Sequence, residues 1–375
     1  MVYLAVVHEW LVTHAGSEQV VEHILKQYPT AALYSLVDFL PDDRRHFIQH
    51  KSVQTSFIQR LPRARRYFRQ YLPLMPIAVE QFDLNDYEIV VSSSHAVAKG
   101  ILTRADQLHI SYVHTPIRYA WDLHHQYLKG ANLTRGMRAI VARSILHYLR
   151  LWDLATANRV DAFVANSRYV ARRIWKTYRR PARVIYPPVA IERFRPDQPR
   201  DEFYLTVSRF VPYKRVDLIV QAFAQLGRPL VVIGDGDDRA KIEAMAAPNI
   251  TFLGSQSNAV VTDYMERCKA FVFAAEEDFG ITPVEAQAAG APVIAYGRGG
   301  VTETILPGKT GWFFPLQTPD SLATAVQQFE TEKRSFIPEL LRQNAERFAP
   351  ERFRSEFSEF VDQKWSLFRQ GDDIE

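Results

Sequence analysis

Short apolar runs alternate with helix-patterned stretches from one end of this chain to the other, and the alternation pauses only once. Runs at 2–8, 31–37, 88–92, 108–114, 160–165 and 183–186 read as strands, with helical patterns between them, including a long one at about 133–157. The pause comes at Tyr186-Pro187-Pro188 and extends through Pro196 and Pro199, a proline-rich stretch that lacks strand patterning. The alternation then restarts. Strands are expected at 203–208, 230–233, 250–253, 270–274 and 292–295, with helices from Lys214 and from Pro283 among those between them. Alternating strand and helix patterns imply parallel sheets covered by helices on both faces, an α/β class.

The organisation that follows is residues 1–187 as a first domain, 188–200 as a linker, 201–345 as a second domain, and 346–375 as a returning tail. From about Arg342 to Phe368 the tail is helix-patterned, with Phe348, Phe353, Phe357, Phe360 and Trp365 at near-helical spacing. This predicts a helix that packs back on the first domain. Two Rossmann-like domains facing a cleft is the implied architecture. In such sheets ligands sit at the carboxyl ends of the strands, so motifs there carry the most weight.

Composition narrows the class further. Hydrophobic residues make up 47% and charged residues 23%, enough apolar material for two full cores in 375 residues. Cys268 is the sole cysteine, so no disulfide forms within the chain, and a cytoplasmic setting is expected. The first apolar run is short, lacks a basic lead and is followed at once by His8 and Glu9, so it reads as a strand and not a signal peptide. Basic residues cluster at Lys51, Arg60, Arg63, Arg65, Arg66 and Arg69, interleaved with Phe57, Tyr67, Phe68 and Tyr71. A second group runs from Arg168 to Arg183. These clusters suit either a solvated face or an anionic surface of lipid headgroups or phosphate. No nucleic-acid module accompanies them, and no nucleic-acid partner is expected.

The chemistry concentrates at Glu277-Asp278-Phe279-Gly280-Ile281-Thr282-Pro283-Val284-Glu285, which follows one expected strand and opens a helix. Amides near Gly280 to Thr282 at a helix start offer N–H donors to an anion or to hydroxyls. Glu277 lies before the helix and Glu285 inside it. A helical rise of ~1.5 Å per residue spaces their carboxylates by about 10 Å. A retaining glycosidase pair needs about 5 Å. The wider spacing suits gripping two ends of one ligand. Glu285 has a second reading, because Thr282-Pro283-Val284-Glu285 spells a capping box. Upstream, Ser208-Arg209-Phe210-Val211-Pro212-Tyr213-Lys214-Arg215 closes the second domain's first strand. There Arg209 and Lys214 converge on one phosphate-sized target.

Together these residues resemble the large retaining glycosyltransferase family 4, of GT-B fold. Its E-x7-E is matched by Glu277 and Glu285, and its basic pair by Arg209 and Lys214. Gly234-Asp235-Gly236 and Phe252-Leu253-Gly254 match the loops after the next two strands. In the first half, Val7-His8-Glu9-Trp10 to Gly16-Ser17-Glu18 resembles the family's N-terminal phosphate loop. His114-Thr115-Pro116 with Arg118-Tyr119-Ala120-Trp121-Asp122 resembles members that build bacterial exopolysaccharide or O-antigen. The match covers nearly the whole chain, with one departure: many members carry two glycines where this chain has Ala15-Gly16.

The resemblance implies roles. Arg209 and Lys214 neutralise the leaving diphosphate, Glu285 binds the ribose, and Glu277 holds hydroxyls of the donor sugar. Amides at Phe279, Gly280 and Ile281, beside Thr282, contact the sugar and β-phosphate. Gly254 lies toward the base, Gly16 offers its amide to the phosphate, and His114 sits over the reaction centre. The expected partners are a nucleotide sugar, UDP-glucose or GDP-mannose, and a carbohydrate or polyprenyl-linked saccharide acceptor. The basic, aromatic region 51–71 adds an expected peripheral contact with the inner membrane face. No cofactor and no metal are expected, the nucleotide sugar being a substrate. Asp235-Gly236-Asp237 spells the D-x-D that holds a divalent metal in the other glycosyltransferase fold, but it lies in a Gly-rich turn where Asp favours turns and caps. Two alternatives share the fold class: a sugar-nucleotide 2-epimerase and a non-catalytic sugar-nucleotide-binding protein. A dinucleotide oxidoreductase is disfavoured, because no G-x-G-x-x-G follows the first strand.

Overall fold

The central strands of this chain are buried on both faces and open on apolar runs, with buried polar residues at His8, Glu9, Ser92, Ser93, Ser94, His109 and Ser111. The computed structural model describes residues 3–332, 336–372 and 374. It divides into two units, one comprising residues up to Pro188 together with those from Pro350 onward, the other Val189–Ala349.

In the first unit the strands are β1 (Leu4–Leu11), β2 (Ala32–Asp38), β3 (Val53–Thr55), β4 (Ile89–Ser94), β5 (Leu108–Val113), β6 (Ala162–Ala165) and β7 (Arg183–Val184). Among the described residues they form one parallel sheet in the order β3-β2-β1-β4-β5-β6-β7. Chain order reverses direction at β1, which pairs with β2 on one side and β4 on the other. The carboxyl ends of β1 and β4 therefore flank a topological switch point, where such sheets open a crevice.

The second unit repeats the plan with β8 (Tyr204–Val207), β9 (Leu230–Ile233), β10 (Ile250–Gly254), β11 (Ala270–Phe273), β12 (Val293–Tyr296) and β13 (Gly311–Phe314). Their order is β10-β9-β8-β11-β12-β13, again parallel, with the switch between β8 and β11.

Several expected elements differ in detail. The first strand begins at Leu4 and runs on to Leu11; Val2, where it was expected to start, lies outside the described residues. The long helix is Met137–Thr156. Two edge strands, β3 and β13, are not among the expected ones; β3 is three residues long and part-exposed, and β13 is apolar but only four residues long. Lys214 sits not in a helix but in the 3-10 turn Pro212–Lys214; the helix starts at Val216, after Arg215 adopts φ 53°.

The helix-patterned tail is two helices, Pro338–Glu346 and Pro350–Gln370. Pro350 has no N–H to continue a helix and disfavours helical geometry in Ala349 before it. The break divides the aromatic series between cores. Phe348 packs on Phe279 in the second unit, with ring centroids 5.3 Å apart. Phe353 and Phe357 enter the core of the first unit, 5.9 and 6.4 Å from the Tyr112 ring.

Candidate active site

In the second unit the two sequence constellations meet at the β8/β11 switch. The loop after β8 is held down by tight backbone packing. Phe210 N donates to Asp235 O at 2.8 Å, and Gly234 N donates to Gly254 O at 2.9 Å. A Cβ on Gly234 would stand 1.8 Å from the Ser208 carbonyl oxygen, and Gly234 and Gly254 both have positive φ, so glycine alone lets these loops interlock. Arg209 is exposed and donates to the Tyr213 hydroxyl at 3.3 Å. Lys214 Nζ forms an ion pair with Glu277 Oε1. A basic residue of the first loop and an acidic residue of the second are thus already joined, 63 residues apart in sequence.

After β11 the chain is pinned by Gly299 and Gly300, which sequence reading passed over. Gly300 N donates to Glu277 O at 2.8 Å, and a Cβ on Gly299 or Gly300 would strike the backbone of Glu277 or Asp278 at 2.4 or 2.2 Å. The RGG spelling at 298–300 is the signal that could have revealed them. Gly280, with φ 88°, is the N-cap of the helix Ile281–Ala288. Its leading amides at Ile281 and Thr282 have no carbonyl four residues back within the helix, and Pro283 has no N–H. Phe279 is buried, while Ile281 and Thr282 are half-buried.

The capping-box reading of Thr282 and Glu285 is overturned. Gly280, not Thr282, takes the N-cap, so Glu285 stands two positions too far along to reach it. Instead its buried carboxylate accepts from Arg193 NH2 at 2.6 Å. Burial raises the Glu285 carboxyl, and the Arg193 charge opposes that rise. Arg193, 92 residues away, carries no local sequence signal. Asp235 of the D-x-D is used locally, accepting from Gly236 N at 2.8 Å and pairing with Arg239 at 3.1 Å. Among the described residues no group of three or more His, Cys, Asp or Glu is arranged to hold a metal ion.

The first unit builds a buried polar cluster at the β1/β4 switch. Ser93 Oγ lies 2.8 Å from His114 Nε2 and 3.1 Å from His8 Nδ1. His8 Nε2 faces Glu18 at 3.6 Å. Glu18 accepts from Ser17 Oγ at 2.9 Å and from Ala15 N at 3.2 Å, which closes the start of the helix Gly16–Gln27 from one side only, since Ala15 has no side-chain acceptor. Gly16 occupies the first position of that helix, half-buried.

Behind them, Glu9 is fully buried and accepts from the amides of His95, Ala96 and Ala98 at 2.9, 2.8 and 3.1 Å, and from Ser94 Oγ at 3.2 Å. Its other oxygen lies 3.1 Å from His95 Nδ1. Burial works against the Glu9 charge, but His95, His8 and the donated amides hold the carboxyl far below its usual range. By the reciprocal effect Glu9 raises His95 against burial. His114 behaves oppositely: burial, then the charges of His95 and His8, pull it down to about 3. A histidine whose charged form is favoured therefore neighbours one whose neutral form is favoured, with ring centroids 6.2 Å apart.

These shifts set an acid response. His109 is fully buried and burial lowers it to about 4. His109 and His114 fold with pKa values below the ~6.5 of an unfolded histidine, so folding favours their neutral forms. Their contribution is complete above pH ~6.5 and is lost as pH falls toward 4 and 3. All 11 histidines precede residue 150, so the first unit is the sensitive one. Urea unfolding at pH 7.5 and pH 5 should show a loss of about 1–2 kcal/mol for each of His109 and His114. His109→Gln should flatten that slope; an unchanged slope would contradict the assignment.

Comparisons with known proteins now join this geometry. The family model "Glycosyltransferase Family 4" matches residues 15–193, and "Glycosyl transferases group 1" matches residues 190–350. An uncharacterized glycosyltransferase of Methanocaldococcus jannaschii is 30% identical over 192 residues, 50% of this chain and 54% of that protein. A GDP-mannose-dependent alpha-(1-6)-phosphatidylinositol monomannoside mannosyltransferase of Mycobacterium tuberculosis is 32% identical over 224 residues, 50% of this chain and 55% of that one. The chain spans about half the length of these curated relatives. Among solved structures, Anabaena HepE in complex with UDP superposes with a TM-score of 0.70 at 17% identity, covering 96% of this chain and 100% of that one, which shows a shared fold. With two adjoining family models running from residue 15 to residue 350, this chain belongs to the group 1, family 4 glycosyltransferases of GT-B fold.

Proposed function

We propose that the chain transfers a hexose from a nucleoside-diphosphate sugar to a lipid-linked or oligosaccharide acceptor, with retention at the anomeric carbon. The observation that carries this reading is the Lys214–Glu277 pair beside the amino end of the Ile281–Ala288 helix, at a strand switch point. When the bond from C1 to the diphosphate breaks, negative charge grows on the diphosphate and positive charge on the sugar. Arg209, Lys214 and the amides of Phe279, Gly280 and Ile281, next to Thr282, take the first charge. Glu277 accepts from donor-sugar hydroxyls and Glu285 from the ribose, with Gly254 toward the base. Gly16 presents an amide to phosphate, and His114 a neutral imidazole to a substrate hydroxyl. The acceptor oxygen bonds to C1 on the face the diphosphate leaves, and its proton passes to the departing phosphate oxygen. The scheme calls for no metal and no cofactor.

The mannosyltransferase relative's name puts GDP-mannose ahead of UDP-glucose as donor, and its phosphatidylinositol monomannoside supports a lipid-linked acceptor. Arg60, Arg63, Arg65, Arg66 and Arg69 are all exposed, in keeping with a peripheral membrane contact through 51–71. A thermal-shift screen of UDP- and GDP-sugars tests the donor. Saturation at about 100 times Kd adds ~2.7 kcal/mol, so the right donor should raise Tm by several degrees. If neither nucleotide series raises Tm and no donor is consumed with acceptor present, the transferase reading is lost.

A further inference from the structure

The helix Met137–Thr156 has one face in the protein and one face in solvent. Ala139, Leu146, Leu149, Asp153 and Thr156 are buried. On the opposite side stand Met137, Ile140, Val141, Tyr148, Leu151 and Leu154, with exposures from 42% (Tyr148) to 74% (Met137). At 3.6 residues per turn these fall in one stripe, ~140° wide, along the length of the helix. An apolar stripe on the outside of a helix whose other face already fills a core is not explained by folding.

The charges around it have one sign. Arg138 lies on one rim and Arg143 and the half-buried Arg150 on the other, while Ser144 and His147 sit within the stripe. The helix's one acid, Asp153, points inward to Lys99 at 2.6 Å. The next element continues the pattern. The short helix Met75–Glu80 abuts the long one through the Trp152 Nε1–Glu80 hydrogen bond of 3.0 Å, and it exposes Ile77, with Leu74 just before it. From residue 52 to residue 79 the chain has five arginines and no acid. No helix of the described residues is long and apolar enough to cross a membrane.

We propose that this stripe lies in the headgroup layer of an anionic bilayer, with its apolar residues in the acyl boundary and the rim arginines on lipid phosphates. Apolar side chains framed by bases and free of exposed acid match an anionic interface. The long arginine stems let their charged heads stay at headgroup level. A second copy of this chain is a poor occupant, since it would bring the same positive rims together. The inference extends the membrane contact proposed for 51–71 and adds the apolar anchor that contact lacks.

The full-length chain is sedimented with vesicles of phosphatidylcholine plus phosphatidylglycerol, and with phosphatidylcholine alone, without donor or acceptor. The wild type should bind the anionic vesicles, and Ile140→Glu/Leu151→Glu should bind them about tenfold or more weakly. Hydrogen exchange on the wild type should slow across 137–154 when anionic vesicles are added, a readout that needs no variant to fold. Equal binding by the double variant, no wild-type binding, or unchanged exchange at 137–154 overturns the proposal. So does light scattering that finds a wild-type dimer without lipid and a monomeric double variant, which would make the stripe an interface between copies. Vesicle binding through the stripe without any sugar transfer upholds this inference while defeating the transferase reading.

Discussion

Replacing Lys214 by methionine is expected to lower sugar transfer by about 10²–10³-fold while leaving the protein folded. Lys214 and Glu277 form an ion pair with each other in the structure. Methionine keeps the length of the stem and removes the charge, so the diphosphate loses a cation at the moment its own charge grows. The cost to folding should be small, on the order of 1 kcal/mol or less, because both side chains are reached by water. Steady-state kinetics at saturating donor separate the outcomes. A fall in kcat identifies a contact that strengthens in the transition state, whereas a rise in KM alone identifies uniform binding. Glu277→Ala should also lose transfer, and the double variant should lose little more than the worse single, since the two side chains pair with each other and are proposed to serve one ligand. If Lys214→Met transfers within about twofold of wild type, the assignment of the diphosphate to this loop fails.

Asp153→Ala should destabilise the protein by about 3–5 kcal/mol, far more than the loss of any exposed ion pair. Asp153 is fully buried and joins three elements: it pairs with Lys99 at 2.6 Å and accepts from Trp121 Nε1 at 2.7 Å and the Tyr178 hydroxyl at 2.9 Å. Lys99 is itself buried, so removing its partner strands an ammonium in the core. Burial already lowers the Lys99 pKa, with Asp153 opposing that fall. Without Asp153 the folded pKa drops further below that of the unfolded chain. Stability of the variant should then be lost as pH falls through that window and regained as pH rises from 7 to 9, more steeply than in the wild type. Urea unfolding across that range reads it directly. Lys99→Met/Asp153→Leu should be milder than Asp153→Ala alone, because it removes both charges. A double variant as damaged as the single would show that Trp121 and Tyr178, not the ion pair, set the cost.

What was legible in the sequence followed the range of the interaction. The central strands and the helix after Gly280 announce themselves within a dozen residues, because each strand opens on an apolar run, although buried His8 and Glu9 interrupt β1 and Ser92, Ser93 and Ser94 end β4. The joining of the loops after β8 and β11 was also within reach, since both motifs sit at strand ends. Contacts made across long separations left no local trace. Arg193 meets Glu285 from 92 residues away, and Glu9 receives the amide of His95 from 86. Glu285 shows the hazard in the opposite direction, a local motif that fits a capping box but is displaced by a glycine cap two residues earlier. The aromatic tail misled in a third way, because near-helical spacing continues across Pro350 although the helix does not.

The helix Pro350–Gln370 belongs to the first unit, yet it is translated after every residue of the second. Phe353, Phe357, Phe360 and Val361 share a core with Val20, Val21 and Ile24, so that core stays open to solvent throughout synthesis of the intervening 161 residues, Val189–Ala349. Domains usually mature in the order they are made. Here the amino-terminal unit finishes last, and a nascent chain arrested before Pro350 should carry a complete second unit beside a first unit that chaperones still recognise.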